Sequence, residues 1–73
     1  MRIIIVVTLD GKFVEVNGEL FSANLVPGEP EAEAVNKVLG CGYVIDRNLT
    51  SRNMVEVNGE LRERMVYRLI KEE

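Results

Sequence analysis

Arginine side chains in the second part of the chain are the residues whose type and spacing best suit a binding function. Residues 41–73 hold six basic and six acidic side chains, whereas residues 1–40 hold three basic and six acidic ones, so the net charge of −3 arises in the first part. If residues 60–71 form a strand, three of these arginines share one face and two more lie within reach. The candidate anion-binding residues are Arg62, Arg64, Arg68, Arg47 and Arg52.

Such a set of guanidinium groups suits phosphate or carboxylate ligands, and therefore a nucleic-acid or other anion-binding surface. Two features oppose this interpretation. Glutamates are interleaved with the arginines, and the chain has only two tyrosines, two phenylalanines and no tryptophan on which bases could stack. Ion pairing across neighbouring strands is the alternative role for these arginines.

Cys41 is the single cysteine, in the segment Gly40-Cys41-Gly42 after a predicted helix. A thiolate needs a cationic neighbour or a helix N-terminus for activation, and the C-terminal end of a helix carries the opposite field. The chain also lacks histidine, so no imidazole base is present. We therefore expect no nucleophilic or redox role for Cys41.

Glutamates form two further groups that could attract a chemical assignment. Glu29, Glu31 and Glu33 alternate along the start of the predicted helix, where acidic side chains complement the helix dipole, and they do not resemble the oxygen ligands of a calcium loop. We interpret the other group as exposed turn residues; it consists of Glu15, Glu19, Glu56 and Glu60. The sequence thus predicts no catalytic residues, no metal site and no cofactor, and we expect a binding protein rather than an enzyme.

Length limits what this chain can stabilise alone. With 73 residues it has room for one domain, residues 1–73, whose small core supplies little net stability. One cysteine excludes an internal disulfide, and the absence of histidine removes the usual zinc sites. Partner subunits remain as a source of stability, and the apolar run 3–7 offers surface for them. We therefore expect a homo-oligomer.

The apolar run near the N-terminus is too short for a signal peptide or a membrane span, so we expect a cytoplasmic protein without membrane contact. The composition lacks glutamine, histidine and tryptophan and is rich in valine, glutamate and arginine. This balance favours a thermophilic source, although six asparagines argue against it.

An internal repeat is visible without any alignment. Residues 13–20 (FVEVNGEL) recur as residues 54–61 (MVEVNGEL), which indicates duplication of a unit covering residues 2–26 and 43–70. Each Asn-Gly pair predicts a type I′ hairpin turn, so substitution of the two glycines should cost the same stability. Asp10-Gly11 predicts a further tight turn, and residues 2–26 therefore read as a three-stranded meander. For the second half, a longer connection is expected at residues 51–53.

Residues 30–39 form the predicted linking helix, because proline and glutamates begin it, while Lys37 and Gly40 suit its end. Residues 60–71 fit either a helix or a strand, and the repeat favours a strand. The predicted fold is α+β with the order βββαβββ, as an antiparallel curled sheet or a small barrel plus one helix.

Three classes of function remain, and one of them, an enzyme or a subunit of an enzyme, would need a partner chain to complete its active site. The first is a small self-associating interaction or regulatory module, with itself or an unidentified protein as partner, because both faces of the strand at residues 3–7 are apolar and should be covered. The alternative is a nucleic-acid or anion-binding module that uses the C-terminal arginines.

Overall fold

A computed structural model describes residues 1–18 and 24–72 of the chain. In this part the protein has five antiparallel strands in one sheet and one helix, which confirms the α+β class. The strands are β1 (Arg2–Leu9), β2 (Lys12–Asn17), β3 (Val44–Ile45), β4 (Ser51–Val57) and β5 (Glu60–Lys71), and the helix is α1 (Glu31–Leu39).

Two tight hairpins are built by two-residue turns. Asp10 and Gly11 join β1 to β2 with φ values of 51° and 77°, and Asn58 and Gly59 join β4 to β5 with φ values of 52° and 82°. Positive φ at both central residues defines the type I′ turn, whose twist matches that of the flanking strands. Both turns confirm what the sequence predicts, and the second confirms that residues 60–71 form a strand.

The centre of the sheet is the pair β1 and β5, whose registered partners run from Arg2 opposite Lys71 to Leu9 opposite Arg64. β2 pairs with the outer side of β1, while β3 and β4 both pair with the outer side of β5. A central strand has neighbours on both sides, which agrees with the apolar run at residues 3–7.

Helix α1 forms as the sequence indicates, one residue later than predicted. Pro30 occupies the N-cap with extended backbone, and Gly40 lies at the C-cap, where its N–H donates to the carbonyl oxygen of Asn36 at 2.9 Å. The buried residues of the helix are Ala34, Val35 and Val38.

The hydrophobic core lies between α1 and one face of the sheet. Alternate residues of β1 supply Ile4 and Val6, and Leu69 of β5 is registered beside Ile4. The remaining core residues are Phe13, Ala34, Val38 and Tyr43. Because side chains alternate along a strand, the other face of β1 is left for residues 3, 5, 7 and 9.

The second half differs from the prediction in two respects. Residues 51–53 belong to β4 rather than to a connection, since they pair with Arg64, Met65 and Val66 of β5. Residues 46–50 make the connection instead, and β3 is only two residues long. The sheet is also open rather than a closed barrel, because β2 pairs only with β1 and β4 only with β5.

The first half is not equivalent to the second. Residues 24–26 are outside any strand, and residues 19–23, where a third strand was predicted, lie outside the described residues. The prediction of a type I′ turn at Asn17-Gly18 is wrong, because Asn17 belongs to β2 and pairs with Ile5, and only Gly18 has a positive φ, of 120°. The two halves therefore do not share the predicted set of elements.

Candidate interaction face

One face of the sheet is covered by α1, and the other carries apolar side chains over which no described helix or strand lies. The register assigns alternate residues of three strands to this second face, which we call the open face. It comprises Ile3, Ile5, Val7 and Leu9 of β1, Val55 and Val57 of β4, and Val66 and Ile70 of β5.

A β-bulge adds two residues of β2 to this face. The register between β1 and β2 shifts at Val7 and Thr8, so that Thr8 pairs with Phe13 while Val7 pairs with Glu15. Val14 is the extra residue, and both Val14 and Glu15 consequently border the open face. Because Val14 is 46% exposed, it adds apolar surface near one edge of the sheet.

The open face contains a groove of about 320 Å³ that crosses four strands. Its walls are mainly aliphatic, and Val7 at its floor is only 6% exposed. The lining residues are Val7, Leu9, Val14, Glu15, Val55, Val57 and Arg64. A groove of this size and composition matches the apolar recesses in which proteins bind small molecules or partner side chains.

Two opposite charges line the groove. Arg64 is half-buried on β5 and Glu15 is exposed on β2. Within residues 1–18 and 24–72, neither side chain takes part in an ion pair or a side-chain hydrogen bond. Their charges are therefore available to a binding partner.

The arginines predicted to bind anions are divided by the fold. Arg62, Arg64 and Arg68 occupy alternate positions on the open-face side of β5, as the strand interpretation requires. Arg52 of β4 has the opposite parity, and Arg47 is exposed in the connection 46–50. The structure thus brings three of the five arginines to one face.

Carboxylates already neutralise several of these guanidinium groups. Arg62 donates to Asp10 at 2.8 Å and to Glu60 at 2.9 Å, and Arg68 donates to Asp46 at 3.0 Å. Arg52 lies 3.5 Å from Glu63 on the other face. Ion pairing, the alternative role for the arginines, therefore accounts for these three. The anion-binding role stays a prediction, and Arg64 is the member of the set on this face that has no carboxylate partner among residues 1–18 and 24–72.

The helix glutamates take local partners. Glu31 accepts a hydrogen bond of 2.5 Å from the hydroxyl of buried Thr8, and Glu29 pairs with Lys37 at 2.6 Å. Burial, together with the nearby negative charge of Glu31, raises the pKa of Tyr67, which lies on the face of the sheet that α1 covers. In the described part of the chain no group of three or more Cys, Asp and Glu side chains is close enough to hold a metal ion.

The repeated glutamates do not converge on one site. Glu15 borders the groove, Glu56 projects on the opposite face of β4, and Glu60 binds Arg62. Glu19 lies outside the described residues.

Cys41 is half-buried after the helix, where its thiol donates a weak hydrogen bond of 3.4 Å to the carbonyl oxygen of Lys37. No described neighbour assigns it a chemical role, and the expectation that it has no nucleophilic or redox role stays a prediction.

Sequence reasoning identified the apolar character of residues 3–7 but missed the groove. Val14, Val55 and Val57 are predicted strand residues, and the two hairpin turns predict β2 beside β1 and β4 beside β5. Nothing local indicates that β1 pairs with β5 and joins the two hairpins in one sheet. The alternation within residues 51–57 was a usable signal for the face of Val55 and Val57.

The described helix α1, with nine residues, is too short to cross a membrane. No family model, curated protein or solved structure matches the chain, so the argument for its function depends on the open face.

Proposed function

We propose that this protein is a small self-associating interaction module and that two copies bind through the open face. The observation that supports this function is the aliphatic groove across four strands, which no described helix or strand covers. A partner on this face would remove apolar surface from water, which stabilises association by about 25 cal/mol for each Å² buried.

The size of the chain favours the same function. The core contains one helix packed on one face of the sheet, and the single cysteine excludes an internal disulfide. Antiparallel sheets commonly have only one face packed against the core, and the face exposed to water is then usually polar. Here both faces of the central strand β1 are apolar, as the run Ile3 to Val7 shows.

Substitution of Val14 by aspartate tests the proposed function. Val14 is 46% exposed at the groove, so Val14→Asp should leave the fold intact but put a carboxylate into the contact. We expect the wild-type protein to sediment as a dimer at micromolar concentration, and Val14→Asp to weaken that dimer by at least about tenfold, equivalent to about 1.4 kcal/mol.

Leu49→Asp is the matched control, because Leu49 is also exposed but lies in the connection 46–50 and lines no part of the groove. This variant should sediment like the wild-type protein, and circular dichroism should show the same fold for all three. A wild-type protein that stays monomeric at these concentrations contradicts the proposed function.

Anion binding is the second candidate function, and the unpaired guanidinium of Arg64 is the observation in its favour. Nucleic acid would require more than one such cation, because affinity for phosphates grows with the number neutralised. Salt-sensitive binding of a single-stranded oligonucleotide by a monomeric wild-type protein would support this function in place of self-association.

A further inference from the structure

The two groove charges lie on opposite sides of β1. Glu15 of β2 is registered opposite Val7, and Arg64 of β5 is registered opposite Leu9. Neighbouring strands are about 4.8 Å apart and each strand residue rises about 3.4 Å, so these two residues, two strands and two residues apart, have backbones about 12 Å apart across β1. At that separation the two side chains remain unpaired within one copy, in agreement with the absence of an ion pair between them in the described residues.

We propose that two copies associate face to face about a two-fold axis along β1, and that Arg64 of each copy forms an ion pair with Glu15 of the other. This inference rests on the proposed self-association and specifies its geometry. In a two-fold interface each contact occurs twice with the partners exchanged. A face with one cation and one anion on opposite sides of the axis is therefore complementary to itself.

The geometry of stacked sheets is compatible with this arrangement. An axis that lies between the two sheets and runs along β1 exchanges the two sides of that strand. β2 of each copy then lies over β5 of the other, which brings Glu15 and the partner's Arg64 to the same side of the axis, two residues or about 7 Å apart along the strand direction. Sheets packed in this aligned way are about 10 Å apart, with strands within about 30° of each other. With the offset along the strands, the backbones of Glu15 and the partner's Arg64 are then about 12 Å apart, a distance that a glutamate and an arginine side chain can span together.

The aliphatic residues of the groove support the same contact. Val7 and Leu9 lie near the axis and would meet their own counterparts, while Val14 beside Glu15 would be carried toward the partner's β5. The methylene stem of Arg64 can lie along these aliphatic walls while its guanidinium reaches the partner's carboxylate.

A second copy fits the groove better than an anionic ligand. An anion bound at Arg64 would share the groove with Glu15, whose carboxylate would repel it and remain without a partner. A second copy supplies both opposite charges at once, and the groove charges then sum to zero. For this reason the proposal commits to a second copy of this chain.

Charge reversal tests the pairing, and sedimentation velocity at micromolar concentration measures it. E15R puts cations at both positions and R64E puts anions at both, so a dimer of either variant would bring like charges together twice. The dimer affinity of each single variant should therefore be lower than that of the wild-type protein by on the order of tenfold or more. The double variant E15R/R64E exchanges the two charges and should regain the dimer.

Mixing the two single variants gives the sharpest outcome. Equimolar E15R and R64E should form a heterodimer, because every cross-interface pair then joins a cation to an anion. Formation of that dimer also shows that both variants are folded. The matched controls are Glu33→Arg on α1 and Arg47→Glu in the connection 46–50, both exposed and outside the groove, and both should sediment as the wild-type protein does.

The possible failures are distinguishable. Suppose that the wild-type protein dimerises. If the single variants dimerise equally well, or if the mixture and the double variant stay monomeric, the Arg64–Glu15 pairing is wrong while self-association stands. If the wild-type protein is monomeric, both the pairing and the proposed function are wrong.

Discussion

Residues 13–20 and 54–61 share seven of eight amino acids, but residues 13–18 of the first copy, which the structure describes, occupy a different environment from their counterparts in the second. The first copy begins in β2, beside the core, where Phe13 is 3% exposed beneath α1. The second copy begins in β4, where Met54 is 60% exposed, and continues through the turn into β5. Near-identical segments thus begin with a buried residue on an edge strand in one half and form an exposed hairpin in the other.

A single β-bulge separates the two copies further. Phe13 and Met54 have the same strand parity, but the extra residue Val14 reverses the parity that follows it in the first copy. Glu15 consequently points to the open face, whereas Glu56 points away from it. A shift of one residue exchanges the two faces of a strand, so one bulge is enough to give a repeated glutamate two different surroundings.

Truncation of the first residue of each copy should show the largest difference. Phe13→Ala removes a core ring and should lower the free energy of unfolding by about 3–5 kcal/mol, whereas Met54→Ala removes an exposed side chain and should change it by about 0.5 kcal/mol or less. Chemical denaturation measures both. Similar losses at the two positions would show that the copies are packed alike.

Substitution of the two repeated glycines should give an intermediate difference. A Cβ at Gly18 would lie 2.8 Å from the carbonyl oxygen of Ile3 and 3.1 Å from a side-chain carbon of Ile4, whereas a Cβ at Gly59 has no atom within 4 Å. Gly59→Ala should cost only the positive φ, about 1 kcal/mol. Gly18→Ala adds a backbone clash and should cost on the order of 3 kcal/mol.

The same denaturation measurement checks this pair. The structure thus predicts a larger loss of stability at Gly18, whereas the sequence predicts the same loss at both glycines. Equal losses would contradict the structural prediction.

The two repeated asparagines should give the smallest difference. Asn58 adopts a φ of 52° in its turn, a region that asparagine tolerates better than alanine, so Asn58→Ala should cost about 1 kcal/mol. Asn17 lies exposed in β2 without a positive φ, and Asn17→Ala should change stability by about 0.5 kcal/mol or less. A larger loss at Asn17 than at Asn58, in the same unfolding assay, would contradict this assignment of turn and strand.

Local chemistry explains which parts of the fold the sequence could predict. Asp10-Gly11 and Asn58-Gly59 specify tight turns by their backbone preferences, and the glutamates and Lys37 specify the helix ends. These signals act within a few residues, and the structure agrees with them. Residues 60–71 required the comparison between copies as well, because their pattern fits two periods.

Contacts between distant segments explain what the sequence could not predict. The pairing of β1 with β5 joins residues almost the whole chain apart and places the two hairpins side by side. Within the hairpins, the turn residues specify the pairing but not the bulge at Val14 or the start of β4 at Ser51. The groove depends on both, since it combines residues of four strands. Of the two charged residues that line the groove, the sequence predicts a binding role only for Arg64. No local signal in the sequence indicates that Glu15 lies beside the groove.

The register of β1 with β5 has a consequence for the kinetics of folding. The β1–β2 and β4–β5 hairpins close over two-residue turns and can each form within about 1–10 μs. The central pair joins Ile4 to Leu69 across almost the whole chain, so its formation requires closure of a long loop. We therefore expect the docking of the two hairpins to limit the folding rate, as in other topologies dominated by distant contacts.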